Sequence, residues 1–370
     1  MKQEDFDEYI RQVEPSAQQS AVDWQTAIGL QQVDGLKPSQ YLLDVAQRNI
    51  EGDITIDEVR QLLDSYYRSK VGRTPDADET AECDKAAANI KKILSTNTFA
   101  FNTNGFVATH RRIFEGVFKH AGELRTFDIT KKEWVLGGDT VNYLNWEDLR
   151  RAIDYDLQQE RDFSYKGLTE EEKVRHICRF VSGLWQIHPF CEGNTRTTAV
   201  FTIQYLRSMR YAVTNDMFKT HSWYFRNALV RANYKNARLG IDYDFTFLER
   251  FFRNLLLDEH NELKNRSMLI NVPEGWKAAP INSSSEQILR QSVALSERQR
   301  RIVDIIYDEQ INEQINEQIN EQINSSTLAV CLGISEITAR RELNTLREMG
   351  IIKRVGSKKT GHWEVIEGKG

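Results

Sequence analysis

The chain has 370 residues, of which 40% are hydrophobic and 10% aromatic, so it can bury more than one hydrophobic core. Its formal net charge of −5 excludes a protein that is basic over its whole surface, the class that attracts nucleic acid through overall charge. Four scattered cysteines favour neither a disulfide framework nor a zinc cluster, the first residues are polar and acidic, and no apolar run reaches the roughly 20 residues that span a bilayer. These features predict a cytoplasmic protein without a membrane partner.

Helical periodicity and linker composition divide the chain into three predicted regions. Residues 1–72 form a helical N-terminal region, and the acidic, proline-containing stretch 75–79 follows it as a linker. The second region covers residues 80–270. A second linker at 273–285, with two prolines and three serines, leads into the third region, residues 283–370.

Residues 126–143 have the pattern of a short β-hairpin. A strand-like stretch from 128 to 134 precedes the turn Gly137-Gly138-Asp139. Taken alone, such a hairpin would be an ordinary surface lid.

The densest group of chemically active side chains is the segment His188–Arg196, which lies between two predicted helices. A capping box at Thr169–Glu172 begins the first helix, which should run to about Ile187, and Pro189 ends it. Apolar residues then resume helical spacing directly after the turn Gly193-Asn194. That turn is therefore predicted at a helix N-terminus, where backbone N–H groups and the helix dipole favour an anion such as a phosphate.

The side chains of this segment suit phosphate chemistry. His188 has an imidazole, which exchanges protons near neutral pH and could accept one from a substrate hydroxyl. Glu192 offers a hard oxygen ligand for a magnesium ion that keeps most of its waters. The planar guanidinium of Arg196 can bind phosphate oxygens, and Gly193 lets the backbone approach a ligand closely. The alternative is a capped loop with a core histidine and a surface Arg–Glu pair.

The third region has the pattern of a winged helix. Between Ser326 and Leu343 a helix, a glycine turn, a serine N-cap and a second helix follow one another, which predicts a helix-turn-helix. Residues 351–355 and 362–365 flank a polar turn and predict a hairpin. Seven basic side chains against three acidic ones between residues 325 and 361 favour contacts with DNA phosphates, although winged helices also dock proteins. The residues that we assign to DNA contact are Arg340, Arg341, Lys353 and Lys358.

Within this region the tetrapeptide Ile-Asn-Glu-Gln is repeated over residues 311–324. Because an isoleucine at every fourth position drifts around a helix of 3.6 residues per turn, the repeat does not form a steady packing surface. We assign it no chemistry and treat it as an insertion; an oligomerising helix is the alternative, and the oligomeric state stays open.

The segment His188–Arg196 resembles the signature of the Fic family, His-x-Phe-x-Asp/Glu-Gly-Asn-Gly-Arg-x-x-Arg, and six positions match at the family's spacing. Residues 106–114 and 120–125 are similar to the helix that precedes the active-site flap in that family. The resemblance implies a mostly α fold, with an all-helical core and a short β-hairpin flap. It also implies that the protein transfers AMP from ATP to a Ser, Thr or Tyr hydroxyl of a protein.

The resemblance assigns roles to the matched positions. His188 would be the catalytic base, Phe190 the anchor of the loop, and Glu192 the magnesium ligand. The helix around residues 223–234 would line the adenine pocket, although an aromatic stripe at helical spacing is more often core. The nucleotide-binding residues implied in this way are Gly193, Asn194, Thr195, Arg196, Asn227 and Tyr234.

The flap implied by the resemblance is the hairpin at 126–143. In the family such a flap holds the target segment by strand addition through main-chain hydrogen bonds. The target-binding residues would be Thr130, Lys131 and Trp134.

Two signature positions depart from the family pattern. Thr195 replaces a glycine, and Ala199 stands where the second arginine belongs. Many family members are inhibited by a segment Ser/Thr-x-x-x-Glu-Gly/Asn, whose glutamate pairs with that second arginine. Residues 30–35 resemble a degenerate copy, with Asp34-Gly35 at the Glu-Gly position.

Because both the glutamate and the arginine are missing, we expect this inhibitory contact to be lost and residues 1–72 to be mainly structural, since a lone buried charge would be costly. A chance Asp-Gly turn in a helical hairpin is the alternative interpretation of residues 30–35.

The function predicted from the sequence is thus protein adenylyltransferase, with ATP and Mg²⁺ as cofactors, a hydroxyl-bearing protein or the chain itself as target, and DNA as a further partner. A second interpretation is a DNA-binding regulator whose Fic region senses nucleotide without transferring it. A third keeps the fold and transfers another phosphate-linked group from a different donor.

Overall fold

The computed structural model describes most of the chain up to residue 270 and parts of the C-terminal hundred residues. The described residues are 3–70, 77–96, 98–211, 213, 217–270, 336–348, 351–355 and 362–365, with the single positions 299, 302, 306, 325 and 328. The fold is mostly helical, as predicted. The repeat at 311–324 lies outside the described residues.

The chain divides into two compact units, one of residues 1–128 with 142–268 and one of residues 129–141 with 269–370. The helices of the first unit are α1 (Gln3–Arg11), α2 (Gln18–Gly29), α3 (Gln40–Glu51), α4 (Ile56–Lys70), α5 (Ala77–Leu94), α6 (Thr103–Ile113), α7 (Leu149–Asp162), α8 (Glu170–Ile187), α9 (Asn194–Ser208), α10 (Met217–Thr220), α11 (Ser222–Ala232) and α12 (Thr246–Leu257).

Helix α8 begins where the sequence predicts it. The side chain of Thr169 accepts a hydrogen bond from the Glu172 N–H, and the Glu172 carboxylate accepts from the Thr169 N–H at 2.8 Å, so the capping box is complete. Each bond satisfies a backbone group that the first helical turn leaves without an intrahelical partner. The predicted end at Ile187 is also confirmed.

Helix α9 is the central helix of the first unit. All its residues from Asn194 to Leu206 are buried, which is the pattern of a helix enclosed on every side. Helices α5, α6 and α8 pack on it together with the 3-10 helix Leu30–Asp34. The turn that contains Gly193 therefore leads directly into the core.

The N-terminal helices are part of this same core. Helix α2 packs along α5, and the indole of Trp24 is fully buried and donates to Asn49 Oδ1 at 2.9 Å. Leu30 is fully buried as well. The N-terminal region therefore covers apolar surface of α5 and α9.

Removing residues 1–72 should destabilise the first unit severely. The truncation exposes the faces of α5 and α9 that α2 and the Leu30–Asp34 turn cover, and burial of a single large side chain such as Trp24 is worth about 3–5 kcal/mol. We expect the truncated chain to be insoluble or to lose its cooperative thermal transition in circular dichroism. An unchanged melting temperature would show that the N-terminal helices do not support the core.

The second unit contains residues 129–141, which are the central part of the β-hairpin predicted at 126–143. That prediction is wrong in its strands: the segment folds back around the 3-10 helix Trp134–Leu136, and no strand pair is assigned within it. The Glu133 N–H donates to the Asp139 carbonyl at 2.9 Å, but the Lys131 N–H donates to the Thr140 hydroxyl instead of to a carbonyl. The Val135 carbonyl accepts from the Ile270 N–H at 2.9 Å. A ladder of hydrogen bonds between two strands cannot continue here, because the Lys131 N–H and the Val135 carbonyl bind other partners.

The C-terminal part of the second unit has the elements of a winged helix. Helix α13 (Glu336–Glu348) precedes strands β1 (Ile352–Val355) and β2 (His362–Val365), which pair antiparallel. One face of α13 packs on a small apolar core. The members of that core are Ile302, Ile306, Leu328, Ala339, Leu343, Leu346, Ile352 and Trp363.

Among the described residues, no helix is both long and apolar enough to cross a membrane.

Candidate functional site

His188 is the residue at which α8 ends. Its backbone has a left-handed conformation, with φ 49° and ψ 56°, and its N–H donates to the Trp185 carbonyl at 3.1 Å. A left-handed residue followed by Pro189 stops the helix and turns the chain sharply. The histidine side chain is therefore placed at the first position of the loop.

The His188 imidazole is covered in this conformation. Only 2% of the residue is exposed, because the Tyr143 ring lies 4.1 Å away between centroids and the Trp185 ring contacts it edge-on at 5.2 Å. The expectation of an imidazole open to an incoming hydroxyl is therefore not met here. The Tyr143 and Trp185 rings thus enclose the imidazole in this conformation.

The loop after His188 is held by its own amide side chain. Asn194 Oδ1 accepts from the Phe190 N–H at 2.9 Å, and Asn194 Nδ2 donates to the Phe190 carbonyl at 2.7 Å. The Phe190 ring is fully buried. Asn194 thus closes the loop. Both polar atoms of its side chain bind the Phe190 backbone in this conformation rather than facing a ligand.

Gly193 is required by both its conformation and its surroundings. Its φ is +73°, a region that residues with a side chain rarely adopt, and a Cβ at this position would lie 2.2 Å from the Phe114 ring. The backbone at the start of α9 therefore packs directly on an aromatic ring.

Replacing Gly193 with alanine should destabilise the protein by about 2–4 kcal/mol, the sum of left-handed strain and overpacking. Gly240 is a matched control, because its φ of +66° is similar but nothing lies within 4 Å of the place that a Cβ would take. Gly240→Ala should cost only about 1–2 kcal/mol. Urea unfolding of the full chain measures both, and equal losses would contradict the close contact with Phe114.

Thr195 occupies a position where the family signature has glycine. Its hydroxyl accepts a hydrogen bond from the Trp185 indole N–H at 3.0 Å, so the extra side chain has a partner in the core. The main-chain N–H groups of residues 194–196 belong to the first turn of α9, which has no intrahelical acceptors for them. The substitution therefore leaves the backbone N–H groups of the first turn of α9, the predicted anion site, in place.

Arg196 is fully buried, and residues from the N-terminal region and from α5 surround it. Its Nε lies 2.7 Å from Asp34 Oδ2, its Nη1 donates to Gln31 Oε1 at 3.0 Å, and its Nη2 donates to Glu82 Oε1 at 2.7 Å. The guanidinium also lies 4.7 Å from the centroid of the Phe114 ring. Two carboxylates and an amide occupy the donors with which Arg196 would bind phosphate.

The expectation that Asp34 has lost its arginine partner is therefore wrong. Asp34 pairs with Arg196, the first signature arginine, and not with position 199, where alanine is fully buried. The 3-10 helix Leu30–Asp34 packs on α9 and ends at Gly35, whose φ is 73°. This packing brings the short side chain of Asp34 to Arg196 in the first turn of α9. Residues 30–35 thus contact the first signature arginine, Arg196, instead of the second, which this chain lacks.

Glu192 has a partly exposed side chain, while its carbonyl is bound inside the fold by His110 Nε2 at 3.1 Å. In the described part of the chain, no three His, Cys, Asp or Glu side chains form a cluster that could hold a metal ion. A single carboxylate still suits Mg²⁺, which completes its shell with waters and substrate phosphates. Burial lowers the pKa of the neighbouring His120, and the charge of Glu192 opposes that shift.

Arg125 is a residue of the site that the sequence pattern does not predict. Its Nε donates to the His188 carbonyl at 2.9 Å, and its backbone N–H donates to the Pro189 carbonyl at 2.9 Å. Its guanidinium also donates to the carbonyls of Phe127 and Leu144. Arg125 thus connects the loop that follows α8 with the chain on either side of residues 129–141. Only its place in a family-like stretch could have marked it, because a buried arginine that binds carbonyls leaves no periodic signal.

The predicted adenine-pocket residues lie in the core. Asn227 is fully buried and its Nδ2 donates to Asn265 Oδ1 at 2.8 Å. Tyr234 is 3% exposed, and its hydroxyl accepts from Asn236 Nδ2 at 3.1 Å. Neither side chain faces solvent in this conformation.

The remaining predicted residues belong to the second unit. Trp134 is 43% exposed, and Thr130 and Lys131 are half-buried. The exposed side chains of Arg340 and Arg341 lie on α13 and that of Lys353 on β1, whereas Lys358 lies outside the described residues.

Comparison with known proteins identifies two domains. The Fic/DOC family model matches residues 100–206, and the model of the DeoR-like helix-turn-helix domain matches residues 308–356. Over 183 residues the chain is 24% identical to the protein adenylyltransferase VbhT of Bartonella schoenbuchensis, a match that covers 49% of this chain and 37% of that protein. The crystal structure of a Fic family protein from Desulfovibrio desulfuricans G20 is 13% identical, with a TM-score of 0.36, and the match covers 90% of this chain and 97% of that one. The chain therefore contains a Fic/DOC domain followed by a DeoR-like helix-turn-helix domain.

Proposed function

We propose that this protein is an adenylyltransferase that transfers AMP from ATP to a hydroxyl side chain of a protein, and that the conformation described here is its closed state. The observation that carries the proposal is the loop from His188 to Arg196, which joins a histidine to the N-terminus of a buried helix. The similarity to a protein adenylyltransferase over 183 residues supports it.

In the proposed reaction the target hydroxyl attacks the α-phosphorus of ATP in line with the bond to the β-phosphate. His188 accepts the hydroxyl proton, the new O–P bond forms, and pyrophosphate leaves with the electrons of the broken P–O bond. The N–H groups at the start of α9 stabilise the charge that develops on the phosphate. A magnesium ion bound by Glu192 would neutralise further phosphate charge.

Two parts of the site must open before this reaction, one at His188 and one at Arg196. Tyr143 covers His188, and Asp34, Gln31 and Glu82 occupy the donors of Arg196. Two carboxylates around one guanidinium leave a net negative charge where a triphosphate would bind. We therefore propose that Asp34 restrains the enzyme, and that domains 1–72 and 80–270 act as one functional part.

Incubation of the full chain with α-labelled ATP and Mg²⁺, followed by mass spectrometry of the chain and of lysate proteins, tests the proposed function. The expected product is a protein whose Ser, Thr or Tyr has gained one AMP. Parallel reactions with GTP, CTP and UTP test the alternative that another nucleotide is the donor. The absence of any modified protein, with the Asp34 restraint removed as well, would contradict the proposal.

The second candidate is a DNA-binding regulator that binds nucleotide without transferring it. The enclosed Arg196 favours this function, and so do the exposed Arg340 and Arg341 on α13, which lies within the match to the DeoR-like helix-turn-helix domain. A shift of labelled DNA that responds to ATP, without a labelled protein, would support it over the transferase.

Replacing both Arg340 and Arg341 with alanine should weaken DNA binding by the C-terminal domain. Each lost phosphate contact lowers the slope of log affinity against log salt by about 1, so the double variant should lose about 2. Fluorescence anisotropy with a duplex that the protein selects from a random-sequence pool measures this slope. The adjacent pair Arg150 and Arg151, exposed on α7, is the matched control and should leave the slope unchanged. Equal slopes for all three proteins would remove α13 from the DNA interface.

A further inference from the structure

His110 is a fully buried histidine of α6 whose ring packs flat against the catalytic loop. Its centroid lies 3.8 Å from that of Phe190, with an angle of 11° between the planes, and the Phe114 ring lies 4.7 Å away. The proposed reaction does not use this histidine, and it does not belong to the signature segment.

Both ring nitrogens of His110 have backbone partners. The Gly122 N–H donates to Nδ1 at 2.8 Å, so Nδ1 carries no proton. The neutral ring must then carry its proton on Nε2, which donates to the Glu192 carbonyl at 3.1 Å. The two partners thus select one tautomer and direct its single N–H at the loop.

The Glu192 peptide is the link between the metal-binding position and the anion-binding turn. Because a peptide bond is planar and trans, the N–H of Gly193 points away from the Glu192 carbonyl. A carbonyl held at His110 therefore directs the Gly193 N–H away from the core side of the loop. The Glu192 side chain, which is partly exposed, begins at the same peptide.

We infer that His110 is a positioning residue for phosphate and metal binding, which acts by fixing the Glu192 peptide through its Nε2–H tautomer. The inference rests on the proposed function for its catalytic consequence. Asn194 holds the loop at Phe190, and Arg125 holds it at His188. Neither of these contacts involves the Glu192 peptide, so this peptide would lose its anchor without His110. Loss of this anchor should affect the chemistry of the loop more than the stability of the fold.

Two substitutions distinguish the contributions of the two ring nitrogens of His110. The amide nitrogen of His110→Gln can replace Nε2 and keep the bond to the Glu192 carbonyl. The amide oxygen of His110→Asn can replace Nδ1 and keep the bond from Gly122, but the side chain is too short to reach Glu192. Both variants lose the aromatic stack, so they should have similar melting temperatures.

We expect His110→Asn to lower the kcat of AMP transfer by about 10- to 100-fold, the usual effect of removing a group that orients a ligand-binding residue, while the KM for ATP changes less. His110→Gln should recover at least a tenth of the wild-type kcat. Equal loss in both variants at equal melting temperature would overturn the positioning role and leave His110 a packing residue.

A second readout does not depend on activity. In [¹⁵N]histidine-labelled full-length protein, His110 should show the Nε2–H tautomer, and the hydrogen exchange of the Gly193 amide should accelerate in His110→Asn but not in His110→Gln. An Nδ1–H tautomer, or unchanged Gly193 exchange in the Asn variant, would refute the inference. If the wild-type chain transfers no nucleotide, the proposed function fails, and these two measurements still decide the role of His110.

Discussion

Replacing Asp34 with alanine should raise the initial rate of AMP transfer from ATP by between about 5- and 150-fold, the range that corresponds to a coupling free energy of about 1–3 kcal/mol. Asp34 Oδ2 lies 2.7 Å from Arg196 Nε, and Glu82 Oε1 lies 2.7 Å from Nη2 of the same guanidinium. Removal of one carboxylate leaves Arg196 paired with Glu82 as a neutral pair. The surroundings of Arg196, where we propose that the triphosphate binds, then no longer carry a net negative charge.

This variant should remain folded, and that distinguishes it from the truncation of residues 1–72. Breaking a buried ion pair usually costs about 3–5 kcal/mol because the remaining charge is left uncompensated, but here Glu82 still compensates Arg196. The expected loss is therefore smaller, and the melting temperature of Asp34→Ala should stay near that of the wild type. A large fall in melting temperature would mean that Asp34 is needed for the fold itself.

Two further variants define the cause of the increase. Asp34→Asn keeps the shape and removes the charge, so it should raise the rate as Asp34→Ala does if charge is the restraint. Asp53→Ala removes an exposed carboxylate between α3 and α4 and should leave the rate unchanged. Rates of labelled AMP incorporation under identical ATP and Mg²⁺ concentrations make the comparison. An unchanged rate in both Asp34 variants would contradict the restraint.

Replacing His188 with alanine should lower AMP transfer by about 100- to 10,000-fold, the contribution typical of a positioned general base. The nucleotide would be bound by the N–H groups of α9 and by Arg196, so the dissociation constant for ATP should change by only a few fold. The best background is Asp34→Ala, in which the unsubstituted rate is highest. Label incorporation and isothermal titration calorimetry with ATP measure the two quantities.

The matched control is His260→Ala, which removes an exposed histidine beyond the end of α12. It should retain full transfer. If His188→Ala transferred AMP as fast as this control, another group would have to accept the hydroxyl proton. If His188→Ala lost ATP binding as well, His188 would be needed for the structure of the loop. That alternative has a structural basis, because His188 has a left-handed backbone and its carbonyl accepts a hydrogen bond from Arg125.

Local sequence patterns predicted the elements of the site. The capping box at Thr169–Glu172, the stop at Pro189 and the renewed periodicity after Gly193 located α8, the loop and α9. The helix α13 and the two strands after it also follow their predicted pattern. These features rest on hydrogen bonds and periodic burial within a few residues, and such interactions are readable from the sequence.

The hairpin predicted at 126–143 shows the limit of that approach. The turn glycines are present, but the Lys131 N–H and the Val135 carbonyl bind Thr140 and Ile270 rather than a facing strand. Strand pairing depends on which acceptor lies opposite each donor, and the alternation of side chains does not determine that choice.

The sequence by itself determined where a histidine, a carboxylate and a helix N-terminus would follow one another, because helix caps and turns are short-range features. Only the tertiary structure decided what each side chain contacts. Gln31 meets Arg196 across 165 residues of chain, Asp34 pairs with the same guanidinium, and Tyr143 covers His188. Partners so distant along the chain are chosen by how α2, α5, α6 and α9 pack together. Aspartate is one methylene shorter than glutamate. The sequence therefore does not reveal whether an aspartate at such a position has lost its charged partner or pairs with a different one.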